Sequence, residues 1–201
     1  MNRLLISLIF SLPGILSLRA QSPITNSAED FSDEQGKKGW SYLYYTSSKD
    51  GKGTYVPDDA LPMKWAANKN EGKDIWSGPL PWYSLGRESA KSRVLDAGYQ
   101  AWAVRRWTSD FDGEMTISGS VKCTAAAGEG PDAGDGIGLR IFVDGKEVLN
   151  KLLPPQAAEE IQVRTPVRRG SKVDFAVTPG PGLNAQFDGA QFHAVIGKAI
   201  K

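Results

Sequence analysis

In three separate segments an apolar side chain recurs at every second position, and no other feature of the chain constrains its fold as tightly. In "EMTISGSVKC" the apolar set is Met115, Ile117, Val121 and Cys123. In "GIGLRIFV" it is Ile137, Leu139, Ile141 and Val143, and in "KVDFAV" it is Val173, Phe175 and Val177. A period of two puts one set of side chains on a buried face and the other on a wet face, which is the signature of a half-buried β-strand. "FVDGKEVL" places Asp144-Gly145 between apolar arms, where a tight hairpin turn needs two residues that tolerate positive φ. "IQVRTPVRRGSKVDFAV" predicts a further pair of strands about an Arg169-Gly170 turn. Pro166 cannot donate to a ladder, which predicts an edge or a bulge for its strand.

Near the front, "GWSYLYY" puts Trp40, Tyr42 and Tyr44 on one face, and "AQFDGAQFHAVI" offers one or two closing strands. Only "PPQAAEE" and "RESAKSRV" leave room for a helical turn or two. Many short strands without long helices predict an all-β protein built as an antiparallel two-sheet β-sandwich. Tyr55 to Gly98 is rich in Gly, Pro and Trp with little alternation, and is predicted to form long loops over one end or face. A sandwich displays function in such loops.

The N-terminus has a separate purpose. Arg3 precedes the apolar run "LLISLIFSLPGILSL", and Ala20 follows, the order of charge, apolar stretch and small residue expected of a secretory signal. Pro13 and Gly14 break the run, which is too short to span a membrane well. The predicted division is residues 1–20 signal peptide, 21–30 linker and 31–197 sandwich domain, with a secreted or periplasmic product that does not insert in the membrane after cleavage. Removing Arg3 and Arg19 takes the basic count from 24 to 22 against 23 acidic residues. That near-neutral balance gives no general attraction to nucleic acid. Cys123 is the single cysteine, so no internal disulfide is available and stability must come from packing.

Four stretches in order, "QGKKGWSYLYY", "AVRRWTSDFDGEMTISGSV", "GDGIGLRIFVDGKEV" and "RRGSKVDFAVTPGPGLNAQFDGAQF", resemble the jelly-roll modules of galactose-binding-like, carbohydrate-binding type found in secreted bacterial proteins. The resemblance covers roughly residues 31 to 197. It implies a jelly-roll sandwich and a polysaccharide or glycan partner.

The residues themselves allow a reading of the site. A sugar ring has an apolar C–H face that an exposed flat aromatic can bind, while polar side chains take its hydroxyls. Trp40, Trp102 and Trp107 stand in strands and are expected in the core. Trp65, Trp76, Trp82 and Tyr83 stand in the irregular region, within "MKWAANKNEGKDIWSGPLPWYSLG", and are the candidate ligand contacts, against an alternative role as anchors that pin loops to the sheet. In "AWAVRRW" Trp102, Val104 and Arg106 share one face while Ala101, Ala103, Arg105 and Trp107 share the other, which predicts an inner strand covered on both sides. Its arginines either stack on aromatics and pair with carboxylates or reach a ligand, and Arg106 is the one carried forward as a ligand contact. Asp110 and Asp112 are expected to cap a turn.

No catalytic set assembles. His193 is the single histidine and has no nucleophile motif beside it, so a non-catalytic module with no cofactor is expected, ahead of a jelly-roll polysaccharide lyase or glycoside hydrolase. "GEGPDAGDG" carries Glu129, Asp132 and Asp135, oxygen ligands that could suit a calcium ion of the kind the resemblance implies, but without an ordered ligand spacing, and no metal is assigned. The alternative function is an envelope scaffold in which the same aromatics meet a protein partner.

Overall fold

The computed structural model of the protein describes residues 23–48, 53–70, 72–95, 99–128, 133–184 and 188–199. The expected signal peptide, Glu129 and Asp132 lie outside the described residues. The short early strands are β1 (Thr25–Asn26), β2 (Trp40–Ser47), β3 (Leu61–Pro62), β4 (Lys64–Asn70), β5 (Lys73–Ser77), β6 (Ser84–Leu85), β7 (Ser89–Lys91) and β8 (Arg93–Val94). The later strands are β9 (Gln100–Thr108), β10 (Gly113–Cys123), β11 (Ile137–Val143), β12 (Lys146–Leu153), β13 (Ala158–Val167), β14 (Lys172–Pro179) and β15 (Ala190–Lys198). Two 3₁₀ turns, Lys37–Gly39 and Pro57–Asp59, are the only helical elements among the described residues. The stretches that left room for helix become a turn leading into β13 and the strands β7 and β8.

The strands form an antiparallel two-sheet sandwich. One sheet runs β13-β10-β15-β7-β6-β5-β4, with β1 also on β15; the other runs β12-β11-β14-β9-β2-β3, with β8 on β9. Along the chain β9, β10, β11, β13, β14 and β15 fall alternately in the second and first sheets, so successive connections cross the sandwich in the winding of a jelly roll. The Arg169-Gly170 turn is one of these crossings: β13 and β14 flank it, but they belong to different sheets. The Asp144-Gly145 turn is the predicted hairpin, with φ of 49° and 83° joining β11 to β12.

The alternation places the core. Met115, Ile117 and Val121 of β10 meet Ile137, Leu139 and Ile141 of β11 and Val173, Phe175 and Val177 of β14 between the sheets, all of them buried. Trp40, Tyr42 and Trp107 join them, and Cys123 is buried and free. β9 is the inner strand its sequence predicts, between β14 and β2. Its second face, with Trp102 and Val104, packs a smaller cluster of Tyr45, Tyr55 and Phe142 on the outside of the sheet. β13 lies at a sheet edge, where Pro166 faces Glu114 in register.

Two expectations change. Residues 23–30 do not behave as linker: β1 pairs with β15, Ser27 is fully buried, and its hydroxyl accepts the Ala194 N–H at 2.9 Å. The Tyr55–Gly98 region is not a set of long loops. It contributes β3 to β8, and β4 to β7 extend the first sheet beyond β15. Strands of two to seven residues, interrupted by an irregularity between Ala66 and Asn70 and by Asn68 at φ 53°, are too short and too uneven to show a period of two.

Candidate functional site: an aromatic groove on the sheet extension

The β4–β7 extension carries a groove. Its larger part is a cleft of about 830 Å³ lined by Phe31, Trp65, Asp74, Arg87, Glu88 and Lys91 among others. A second hollow of about 330 Å³ is lined by Lys69, Ser77, Trp82 and Tyr83, and it shares Ile75 and Lys91 with the first. The two hollows adjoin at Ile75 and Lys91, with Trp65 lining the larger and Trp82 the smaller.

Aromatic packing explains which rings are exposed. Trp65 and Trp76 face each other across the β4–β5 ladder, edge to face at 5.5 Å. Trp76 stacks on Tyr42 of the core at 5.1 Å and 10°, and its Nε1–H donates to the Ser32 carbonyl at 2.9 Å. Trp65 then meets Phe31 at 5.9 Å, so a ladder of rings runs from the core to the cleft wall. Trp65 is half-buried and Trp76 is only 4% exposed.

Tyr83 is likewise enclosed, at 1% exposure, and its hydroxyl donates to the Trp102 carbonyl at 2.6 Å. Burial raises its pKa well above the ordinary phenol value. The Gly78 backbone lies directly on the Tyr83 ring, where a Cβ would collide. Trp82, its chain neighbour, points the other way. It is 68% exposed, at φ 60°, with the Lys91 ammonium 5.9 Å from its ring centre.

The five candidate contacts therefore separate. Trp65 and Trp82 line the groove. Trp76 is buried beneath Trp65, and Tyr83 borders the smaller hollow from an almost fully enclosed position. Arg106 is also corrected: Nε and Nη2 hold the two oxygens of buried Asp174 at 2.6 and 2.9 Å, and Nη2 donates to the Pro57 carbonyl at 2.7 Å. Tyr55 donates its hydroxyl to the same carboxylate at 2.9 Å. Arg106 thus locks the 55–59 segment to the outer face of the second sheet. At the following turn Asp112 accepts the Arg169 N–H at 3.1 Å, while the local cap is the Ser109 hydroxyl, which accepts from Phe111.

Arg105 is the residue that the sequence did not single out. It is 1% exposed, and no carboxylate pairs with it among the described residues. Its Nη1 donates to the carbonyls of Ser27 and Arg87 at 3.2 and 3.1 Å and its Nη2 to that of Gly86. The rings of Phe31, Tyr42 and Phe192 surround it at 6.0, 5.8 and 5.7 Å. Burial pulls its pKa down to about 10, so it stays charged at neutral pH. One guanidinium therefore ties the N-terminal segment and the β6–β7 turn together beneath the cleft.

Two other clusters bear on chemistry. Ser120 and His193 face each other across β10 and β15, with Oγ and Nδ1 3.3 Å apart on the wet side of the sheet. No carboxylate bonds to His193 among the described residues. In the loops, Asp135 and Asp188 bring their carboxyl groups together under the backbone of Gly134, Gly180 and Gly182.

Asp135 Oδ1 and Oδ2 and Asp188 Oδ2 are buried with no N–H or O–H donor among the described residues. Burial first, and then the Asp135 carboxyl, push Asp188 up to about 7. A calcium ion takes roughly six to eight oxygen ligands. Among the described residues no group of three or more His, Cys, Asp or Glu gathers to hold one. A proton on the raised Asp188 carboxyl is shared with Asp135 and satisfies one oxygen of each.

No family model matches the chain, and no curated protein does. Solved structures to which it is similar include the xylan-binding CBM22-1 domain of Xyn10C from Paenibacillus barcinonensis, at 14% identity over 92% of this chain and 100% of that one, with a TM-score of 0.40. The C-terminal CBM6 of the laminarinase LamC from Zobellia galactanivorans matches at 11% identity over 78% of this chain and 99% of that one, with a TM-score of 0.34. A CBM36 domain of a xylanase from the hindgut metagenome of Trinervitermes trinervoides matches at 11% identity over 55% and 87%, also at 0.34. All three are carbohydrate-binding modules.

Proposed function

We propose that the protein is an exported, non-catalytic module that binds a polysaccharide chain along the groove between Trp65 and Trp82. The observation that carries the reading is Trp82 itself. A non-glycine residue in the left-handed region costs about 1–2 kcal/mol, and here that conformation holds an indole in solvent at 68% exposure. Its chain neighbour Tyr83 is buried and fixed, so Trp82 is presented from a rigid base. Backbone strain that the surroundings impose gathers at sites of function. A flat exposed ring at one end and the Trp65–Phe31 wall at the other suit successive sugar rings, with Asp74, Glu88 and Gln191 available for hydroxyls. Arg3 and the apolar run after it support export.

Binding is expected in a glycan array or affinity gel at roughly micromolar to millimolar strength, because a shallow site contacts few rings and gains little beyond its ordering cost. Xylan belongs in that screen among the neutral chains. Failure of every glycan, with specific recovery of an envelope protein by pull-down, would replace this reading with the scaffold. Release of reducing ends by the purified protein would overturn the non-catalytic part.

A further inference from the structure

The charge of the groove is uneven. Across residues 64–93 there are six basic and three acidic side chains, in a chain whose basic and acidic totals are 24 and 23. The basic excess is therefore gathered on the sheet extension. The larger cleft balances Lys73, Arg87 and Lys91 with Asp33, Asp74 and Glu88. The hollow at Trp82 does not: Lys69 and Lys91 line it, and no described acidic residue does.

Neither lysine has an ion-pair partner among the described residues. Lys91 is half-buried, its aliphatic stem passes Gly189, and its ammonium stands beside the Trp82 ring. Seating an ammonium next to a stacking surface, with no carboxylate to neutralise it, leaves a place for an anion carried on a ring that the indole covers.

We propose that the Trp82 end of the groove is a subsite for an acidic sugar, whose carboxylate or sulfate group meets Lys91 and Lys69 while its ring lies on Trp82. This rests on the glycan-binding reading above and narrows it to anionic polysaccharides. The shared chemistry is a fixed negative charge on a pyranose ring; uronates and sulfated sugars are its two sources.

The test uses polymer pairs that differ in charge alone: polygalacturonate against its methyl ester, and dextran sulfate against dextran, measured by affinity electrophoresis and calorimetry. Tighter binding to the charged member of at least one pair is expected, by about fivefold, the upper end for one exposed ion pair. Which pair shows it identifies carboxylate or sulfate as the anion. In Lys91→Gln combined with Lys69→Gln the charged and neutral members of a pair should bind alike, and in the wild type the preference should shrink as salt rises. Equal binding to both members of both pairs, or a preference that survives Lys91→Gln together with Lys69→Gln, would overturn the acidic subsite and leave the groove reading standing. No binding to any of the four polymers, nor to any glycan in the broader array, would overturn both.

Discussion

The space between the sheets and the β4–β7 extension solve the same problem, how to hold aromatic and aliphatic side chains in place, by different means. Between the sheets, strands of seven to eleven residues such as β10 and β11 present one apolar face each, and every ladder reinforces its neighbour. On the extension the strands have two to seven residues. A few side chains do the holding there: Trp76 below Trp65, Tyr83 below Trp82, and Arg105 clasping three carbonyls. Where order is spread over many contacts a single change is felt by the whole molecule; where it rests on a few, most surface changes are silent and a small number are severe.

Substitutions of one residue type at different depths put that contrast at risk. Trp76→Ala removes the ring between Tyr42 and Trp65 and should cost about 3–5 kcal/mol in urea melts, as fully packed Trp deletions do. Ile141→Ala, between the sheets, should cost about 2–5 kcal/mol. If Trp76→Ala proved silent, the extension would be a separable flap and the comparison would fail. Arg105→Met leaves the Ser27, Gly86 and Arg87 carbonyls without a donor and should cost about 1–3 kcal/mol. It should also weaken glycan binding, since the turn that carries Arg87 and Glu88 loses its anchor; unchanged binding would show that Arg105 serves the fold alone.

The Asp135–Asp188 pair tests the loops at the sandwich rim, through pH. Asp188 ionises at about 7 in the folded protein against an ordinary 3.8, so between those values the folded state holds more protons than the unfolded one. The stability this gives is full below about pH 4 and is lost as pH rises through 7, with a slope of at most about 1.4 kcal/mol per unit for one proton. Denaturant melts across that range should show the decline, and Asp188→Asn should flatten it; an unchanged slope in the variant would place the effect elsewhere. The smallest change in stability belongs to Trp82→Ala, within about 0.5 kcal/mol as for an exposed side chain. Its affinity for glycan should nevertheless fall by about 1 kcal/mol, near fivefold. A large loss of stability there would make Trp82 another anchor.

Much of the sandwich was legible because side chains along a strand alternate between its two faces, and Met115, Ile141 and Phe175 fall on the core side, although the opposite faces of β11 and β14 are covered as well. The aromatic groove was legible only in outline. Trp76 and Trp82 sit in the same Gly- and Pro-rich context, and composition alone does not tell the buried ring from the exposed one. A signal was present in the polar turn "NKNEGK" flanked by Trp65 and Trp76, which marks a hairpin with paired rings. Arg105 was not legible, because the carbonyls that satisfy it come from Ser27, Gly86 and Arg87, and their meeting is a product of the tertiary fold. The same holds for Asp188, whose partner Asp135 comes from a different loop.

Pro166 has a consequence beyond its own strand. In β10 the Glu114 carbonyl accepts the Ala199 N–H, so Glu114 turns its backbone groups toward the β15 side. Its partner Pro166 is thereby a pair without ladder bonds, with its nitrogen directed away from the sheet. The proline thus costs the ladder nothing and removes a donor from the free edge, where a second chain would otherwise add a strand. At that position the rim offers no N–H to a strand from another copy.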